Sequence, residues 1–120
     1  MQVLNLEGTE DTPKIMLDKG NGIFEISGRS LPEDSTSFYK PVLDWIEQYS
    51  SQANPTTDFT FKLEYFNTAS SKLILDVLSA REDIKGIRIT WYFHEDDEDM
   101  EEAGQEFSEL VEIPFEFKTY

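Results

Sequence analysis

The stretch YFNTASSKLILDVLSA, Tyr65–Ala80, changes its period halfway along. Leading into it, Phe59, Phe61, Leu63 and Tyr65 alternate with Thr60, Lys62 and Glu64, the period of a strand with one apolar face. Beyond the joint, Leu73, Ile74, Val77 and Leu78 recur at helical spacing. The joint itself is Asn67, Thr68, Ala69, Ser70 and Ser71, rich in hydrogen-bonding side chains. A side-chain oxygen of Asn67 or Thr68 is suited to accept a free backbone N–H of the first helical turn, so the residues predict strand, cap and helix in succession. Thr68, Lys72, Asp76 and Ser79 then form a polar stripe opposite Leu73 and Val77, with Thr68 at its exposed end. Helix N-termini favour anions, so a phosphoryl group on Thr68 is a chemically reasonable guest for backbone N–H groups and Lys72. The joint is suited to be a switch as well as a cap.

The same reading extends in both directions. Lys14–Asp18 and Ile23–Ser27 flank KGNG, whose Asn21-Gly22 pair favours the positive φ angles of a tight hairpin turn, and Val3–Leu6 supplies a short strand before them. Phe38, Val42, Trp45, Ile46 and Tyr49 form a helical stripe, with Pro41 expected in the first turn, where a missing N–H costs little. Ile87, Ile89, Trp91 and Phe93 alternate as a strand. Met100, Ala103, Phe107, Leu110 and Val111 share one helical stripe, and Pro114 with Phe115 and Phe117 suggests a last edge strand. Strands separated by helices in the second half imply an α/β (α+β) fold, a mixed sheet of about five strands with about three helices packed on it. No repeat, Pro/Ser linker or composition break divides residues 1–120, so a single domain is expected.

Charge narrows the function. Twenty-five acidic against 10 basic residues give a formal net charge of −15, which works against phosphate backbones and anionic lipid as partners. Neither nucleic acid nor membrane insertion is expected: the first ten residues lack a signal-peptide pattern and no long apolar run occurs. Nine Phe, five Tyr and two Trp supply material for a core, so the acidity belongs to the surface of a folded chain. Zero cysteines exclude disulfides and thiolate chemistry and suit a reducing cytoplasm.

Sites of chemistry are scarce. GxxxxGK[ST] and GxGxxG are absent, leaving no recognisable nucleotide cradle. A small hydrolase would need the only histidine, His94, which lies at a strand end beside Glu95 and away from any nucleophile elbow; a solvated strand-end residue is the simpler reading. The run EDDEDMEE, Glu95–Glu102, has the oxygen ligands hard cations prefer but not the spacing of an EF-hand. Acidic side chains also complement a helix N-terminus, and a partner-facing patch is a third use of the run. No catalytic residue, metal ligand or cofactor is assigned.

The segments GTEDTPKIMLD, GIFEISGRSLPEDSTSFYKPVLDWIEQY, FKLEYFNTASSKLILDVL, WYFHEDDEDMEEAGQEFSEL and PFEF, together nearly the whole chain, resemble the SiaC family of bacterial regulatory phosphoproteins. That family's fold is similar to the STAS fold of anti-sigma factor antagonists. The resemblance implies that Thr68, the threonine of the NT pair, is phosphorylated by a dedicated serine/threonine kinase and released by a metal-dependent serine/threonine phosphatase. It further implies a cytoplasmic, non-catalytic protein whose unmodified form binds and activates a GGDEF-type diguanylate cyclase, raising cyclic di-GMP and favouring aggregation or biofilm growth. Asn67, Ser70, Ser71 and Lys72 would shape the helix start and contribute to partner binding. The same fold could instead serve an anti-sigma factor antagonist that holds an anti-sigma factor or a kinase-like protein.

Overall fold

The computed structural model describes residues 1–80 and 82–120. The chain runs β1 (Leu4–Leu6), β2 (Lys14–Asp18), β3 (Ile23–Ser30), α1 (Ser35–Ser50), β4 (Thr57–Phe66), α2 (Thr68–Ser79), β5 (Ile87–Phe93), α3 (Glu98–Leu110) and β6 (Phe115–Thr119). The sheet has six strands rather than about five, because both the short β1 and the edge strand β6 pair fully. Spatial order equals chain order. β1, β2 and β3 are antiparallel, whereas β3 to β6 are parallel and joined by α1, α2 and α3.

Three crossovers stepping the same way across a sheet put their helices on one face when they share the usual hand. The aromatic core agrees. Phe24, Phe59, Phe61 and Trp91 form a stacked row across β3, β4 and β5, with successive centroids 6.2, 5.1 and 5.6 Å apart. Tyr49 of α1 lies 5.0 Å from Phe24 at one end, and Phe107 of α3 lies 5.6 Å from Trp91 at the other. Fully burying each such side chain stabilises the fold by roughly 1.5–3 kcal/mol. The opposite face stays open and carries exposed ion pairs, such as Arg88 with Asp58 at 3.3 Å.

Four local expectations are corrected. Tyr65 does not continue the apolar face of β4: Leu63 pairs with Gly28 and Tyr65 with Arg29, so Glu64 is an extra residue and the alternation slips. Tyr65 is therefore exposed, whereas Phe66 turns inward to within 6.0 Å of Phe107. Pro41 sits one turn deeper in α1 than expected, and the Ser37 carbonyl it leaves without an N–H partner belongs to an exposed residue open to water. The β2–β3 hairpin is wider than a two-residue turn, with Lys19–Gly22 between the last pair Asp18 and Ile23. Only Gly22 takes positive φ there, at 67°, while Asn21 uses its side chain to donate to Asp18 Oδ2 at 2.7 Å. Finally, Leu110 ends α3 exposed at 63%, while Val111, one residue on, is buried in extended backbone.

Candidate functional site

The C-terminal ends of β3 and β4 place Ser30 and Phe66 side by side, and α2 starts two residues beyond Phe66, at Thr68. Asn67 is extended (φ −86°, ψ 174°), and its Oδ1 accepts the Ser70 N–H at 2.8 Å, so Asn67 rather than Thr68 is the cap. Its carbonyl accepts the Ser71 N–H at 3.0 Å, and its own N–H donates to the Ser30 carbonyl at 3.1 Å. Thr68 is the first helical residue and is exposed, as are Lys72, Asp76 and Ser79 along the expected polar stripe. The N–H groups of Thr68 and Ala69 precede the first residue that can bond back within the helix.

Ser70 takes no part in any surface. It is 0% exposed, and its hydroxyl donates to the Ser30 carbonyl at 2.9 Å. Ser30 Oγ donates to Ser70 Oγ at 2.9 Å and lies 2.7 Å from the hydroxyl of Tyr39 on α1. Burial pushes the Tyr39 phenol up to about 12, against a smaller opposing effect of its bond to Ser30. The side chains holding Thr68 in place are thus partly ones the sequence did not single out. Ser30 and Tyr39 lie 38 and 29 residues upstream of Thr68, beyond any local pattern.

Thr68 borders a groove of about 320 Å³ between α2 and α3. Phe66, Leu75, Phe107 and the exposed Leu110 supply its apolar lining, with Lys72 and Glu106 as charged groups. A smaller hollow of about 150 Å³ shares Phe66 and Ala103 with it and is bordered by Glu64, Asp97 and Asp99. Together they make one strip, apolar along its floor and acidic at the end nearest the start of α3. Only the bulge at Glu64 aims Phe66 into this floor.

The remaining sequence candidates fall elsewhere. Asp97 Oδ1 accepts the Met100 N–H at 3.0 Å and caps α3, with Glu98, Asp99 and Glu101 in the first turn, so the acidic run starts a helix. Among the described residues no group of three His, Asp or Glu side chains is placed to hold a metal ion. His94 Nδ1 lies 3.3 Å from the Tyr120 carbonyl and its ring 4.1 Å from the Tyr120 ring; among the described residues no serine or carboxylate bonds to it. No helix among them is long and apolar enough to cross a membrane.

Residues 6–120 match the family model described as SiaC family regulatory phosphoprotein. The chain belongs to the SiaC family. A curated relative, an uncharacterized protein of Pseudomonas aeruginosa (strain UCBPP-PA14), is 28% identical over 124 residues, covering 100% of this chain and 98% of that one. The crystal structure of apo-SiaC from Pseudomonas aeruginosa is similar at a TM-score of 0.89 and 29% identity, covering 98% of this chain and 99% of that one. A chain in the crystal structure of the diguanylate cyclase SiaD in complex with its activator SiaC, also from Pseudomonas aeruginosa, matches at a TM-score of 0.91 and 28% identity, with coverage of 98% and 99%. The six-stranded sheet with three helices is thus the SiaC architecture.

Proposed function

We propose that this chain is a non-catalytic phospho-switch that, with Thr68 unmodified, binds and activates a GGDEF-type diguanylate cyclase. The observation that carries the reading is the position of Thr68: exposed, first in α2, and on the border of an apolar groove. Support for the partner comes from the similar chain found in complex with the cyclase SiaD. A cognate serine/threonine kinase adds the phosphate and a metal-dependent phosphatase removes it, both in the cytoplasm where ATP and the cyclase are found.

The physical consequence of phosphorylation follows from the groove. A phosphoryl group adds about −1.5 to −2 charge. Neighbouring Lys72 and the free N–H groups of Thr68 and Ala69 offer it donors, so the modified helix start is not destabilised. The same charge holds water beside Phe66, Leu75 and Leu110, and a partner covering those side chains would have to strip that water away. Bare Thr68 imposes no such penalty. Ser71 and Lys72 then belong to the docking surface, while Asn67 and the buried Ser70 shape it from behind.

Incubation with the cognate kinase and ATP tests the assignment of the acceptor. One phosphate, about 80 Da by the covalent chemistry, is expected on the unaltered chain and none on Thr68→Ala. Equal labelling of both chains would overturn it.

A further inference from the structure

Thr68 and Ala69 are bracketed by two bonds to a single atom. The Ser30 carbonyl accepts the Asn67 N–H at 3.1 Å on one side of them and the Ser70 hydroxyl at 2.9 Å on the other. The direction of the remaining bonds follows from counting protons. Ser70 has one hydroxyl proton, given to the Ser30 carbonyl, so the 2.9 Å contact between the two serines uses the proton of Ser30. Ser30 then has none left for Tyr39, and the 2.7 Å contact must be Tyr39 donating to Ser30 Oγ. The chain of donors runs from Tyr39 through Ser30 and Ser70 to the Ser30 carbonyl, and Tyr39, Ser30 and Ser70 are all 0% exposed. In a buried run each bond polarises the next.

We propose that Tyr39, Ser30 and Ser70 are positioning residues for the switch: their hydroxyl relay fixes the first turn of α2 to the end of β3 and so holds the Thr68 hydroxyl in the orientation the kinase meets. The inference rests on Thr68 being the phosphoacceptor. Ordering the turn beforehand spares the kinase complex that ordering at the moment of binding. Because Tyr39 comes from α1, it also makes the presentation of Thr68 depend on how α1 seats against the sheet.

The structure supplies an internal control. Tyr49, on the same helix, is also buried, and its hydroxyl lies 2.6 Å from Thr57 Oγ1 while accepting the Asn54 N–H at 3.1 Å. Thr57 begins β4 at the end of the strand away from Thr68. Tyr49→Phe therefore removes a comparable hydroxyl without touching the relay.

The experiment compares the unaltered chain, Tyr39→Phe and Tyr49→Phe for thermal midpoint, for amide hydrogen exchange at Ser70 and Ser71, and for kcat/KM of phosphorylation by the cognate kinase. Tyr39→Phe should speed exchange at both amides and lower kcat/KM by about 3- to 10-fold, the span of one hydrogen bond. Tyr49→Phe should leave both readouts unchanged, even where its midpoint falls as far. Ser30→Ala, which keeps the carbonyl and removes the middle hydroxyl, should reproduce the Tyr39→Phe result. Equal exchange and equal labelling in the two Tyr→Phe chains would overturn the relay while leaving Thr68 as the acceptor. Failure of the unaltered chain to take up phosphate on Thr68 would overturn both.

Discussion

Leu63 and Tyr65, two residues apart on β4, face opposite sides of the sheet: Leu63 is 1% exposed and Tyr65 46%. The extra residue Glu64 reverses the alternation, and the Tyr65 ring then stands on the open side, 5.6 Å from the Arg29 guanidinium. Leu63→Ala should destabilise the chain by roughly 2–5 kcal/mol in urea denaturation, through lost burial and the cavity left behind. Tyr65→Ala should stay within about 1 kcal/mol, its cation–π contact included. Similar losses for the two would mean that β4 has no bulge.

Gly104 lets α3 approach the sheet. A Cβ there would lie 2.6 Å from the Trp91 ring and 2.9 Å from Phe117. Trp91 cannot easily yield, since its Nε1–H donates to the Met100 carbonyl at 3.1 Å. Although alanine favours helix, Gly104→Ala should lower stability by about 1–3 kcal/mol, measured by denaturant midpoint.

Tyr39 makes stability fall at high pH. Its phenol ionises near 10 in an unfolded chain but at about 12 in the fold, so the folded state holds its proton longer. The stabilisation of the neutral form is complete below about pH 10 and is lost as pH rises toward about 12, amounting to roughly 2–3 kcal/mol over that window. Tyr120, also raised by burial and by the charges of Glu64 and Asp97, acts in the same direction. Denaturation followed from pH 8 upward should show the decline, and Tyr39→Phe should flatten it to the smaller slope left by Tyr120.

How much of this was written in local sequence differs by element. The strands and helices declare themselves because their periods are local: Phe59, Phe61 and Leu63 alternate, and Leu73, Ile74, Val77 and Leu78 recur one turn apart. Asn67 and Thr68 were legible as a helix start for the same reason. The bulge at Glu64 was not, because it is defined by the register of β4 against Gly28 and Arg29 on another strand. Leu110 shares the stripe of Phe107 in sequence, yet α3 ends there and leaves it outside the core. The groove beside Thr68 depends on both of these non-local facts. Ser30 lies beyond the strand Ile23–Ser27 and Tyr39 outside the stripe of Phe38, Val42 and Trp45 that the sequence shows, and only the fold brings both beneath Ser70.

The groove can be tested apart from the phosphate. Leu110 is exposed, so Leu110→Asp should change folding stability by no more than about 0.5 kcal/mol. It should nevertheless weaken cyclase binding, by placing a carboxylate where an apolar contact is expected. Unchanged binding in a pull-down would move the docking surface elsewhere, with Thr68 still free to act as the acceptor.

Titration calorimetry of the cyclase with this chain, bare and then fully phosphorylated on Thr68, is the direct measurement. The bare form, like Thr68→Ala, should bind, and the phosphorylated form should bind at least about tenfold more weakly, a difference of about 1.4 kcal/mol. Equal affinity of the two forms would contradict the switch.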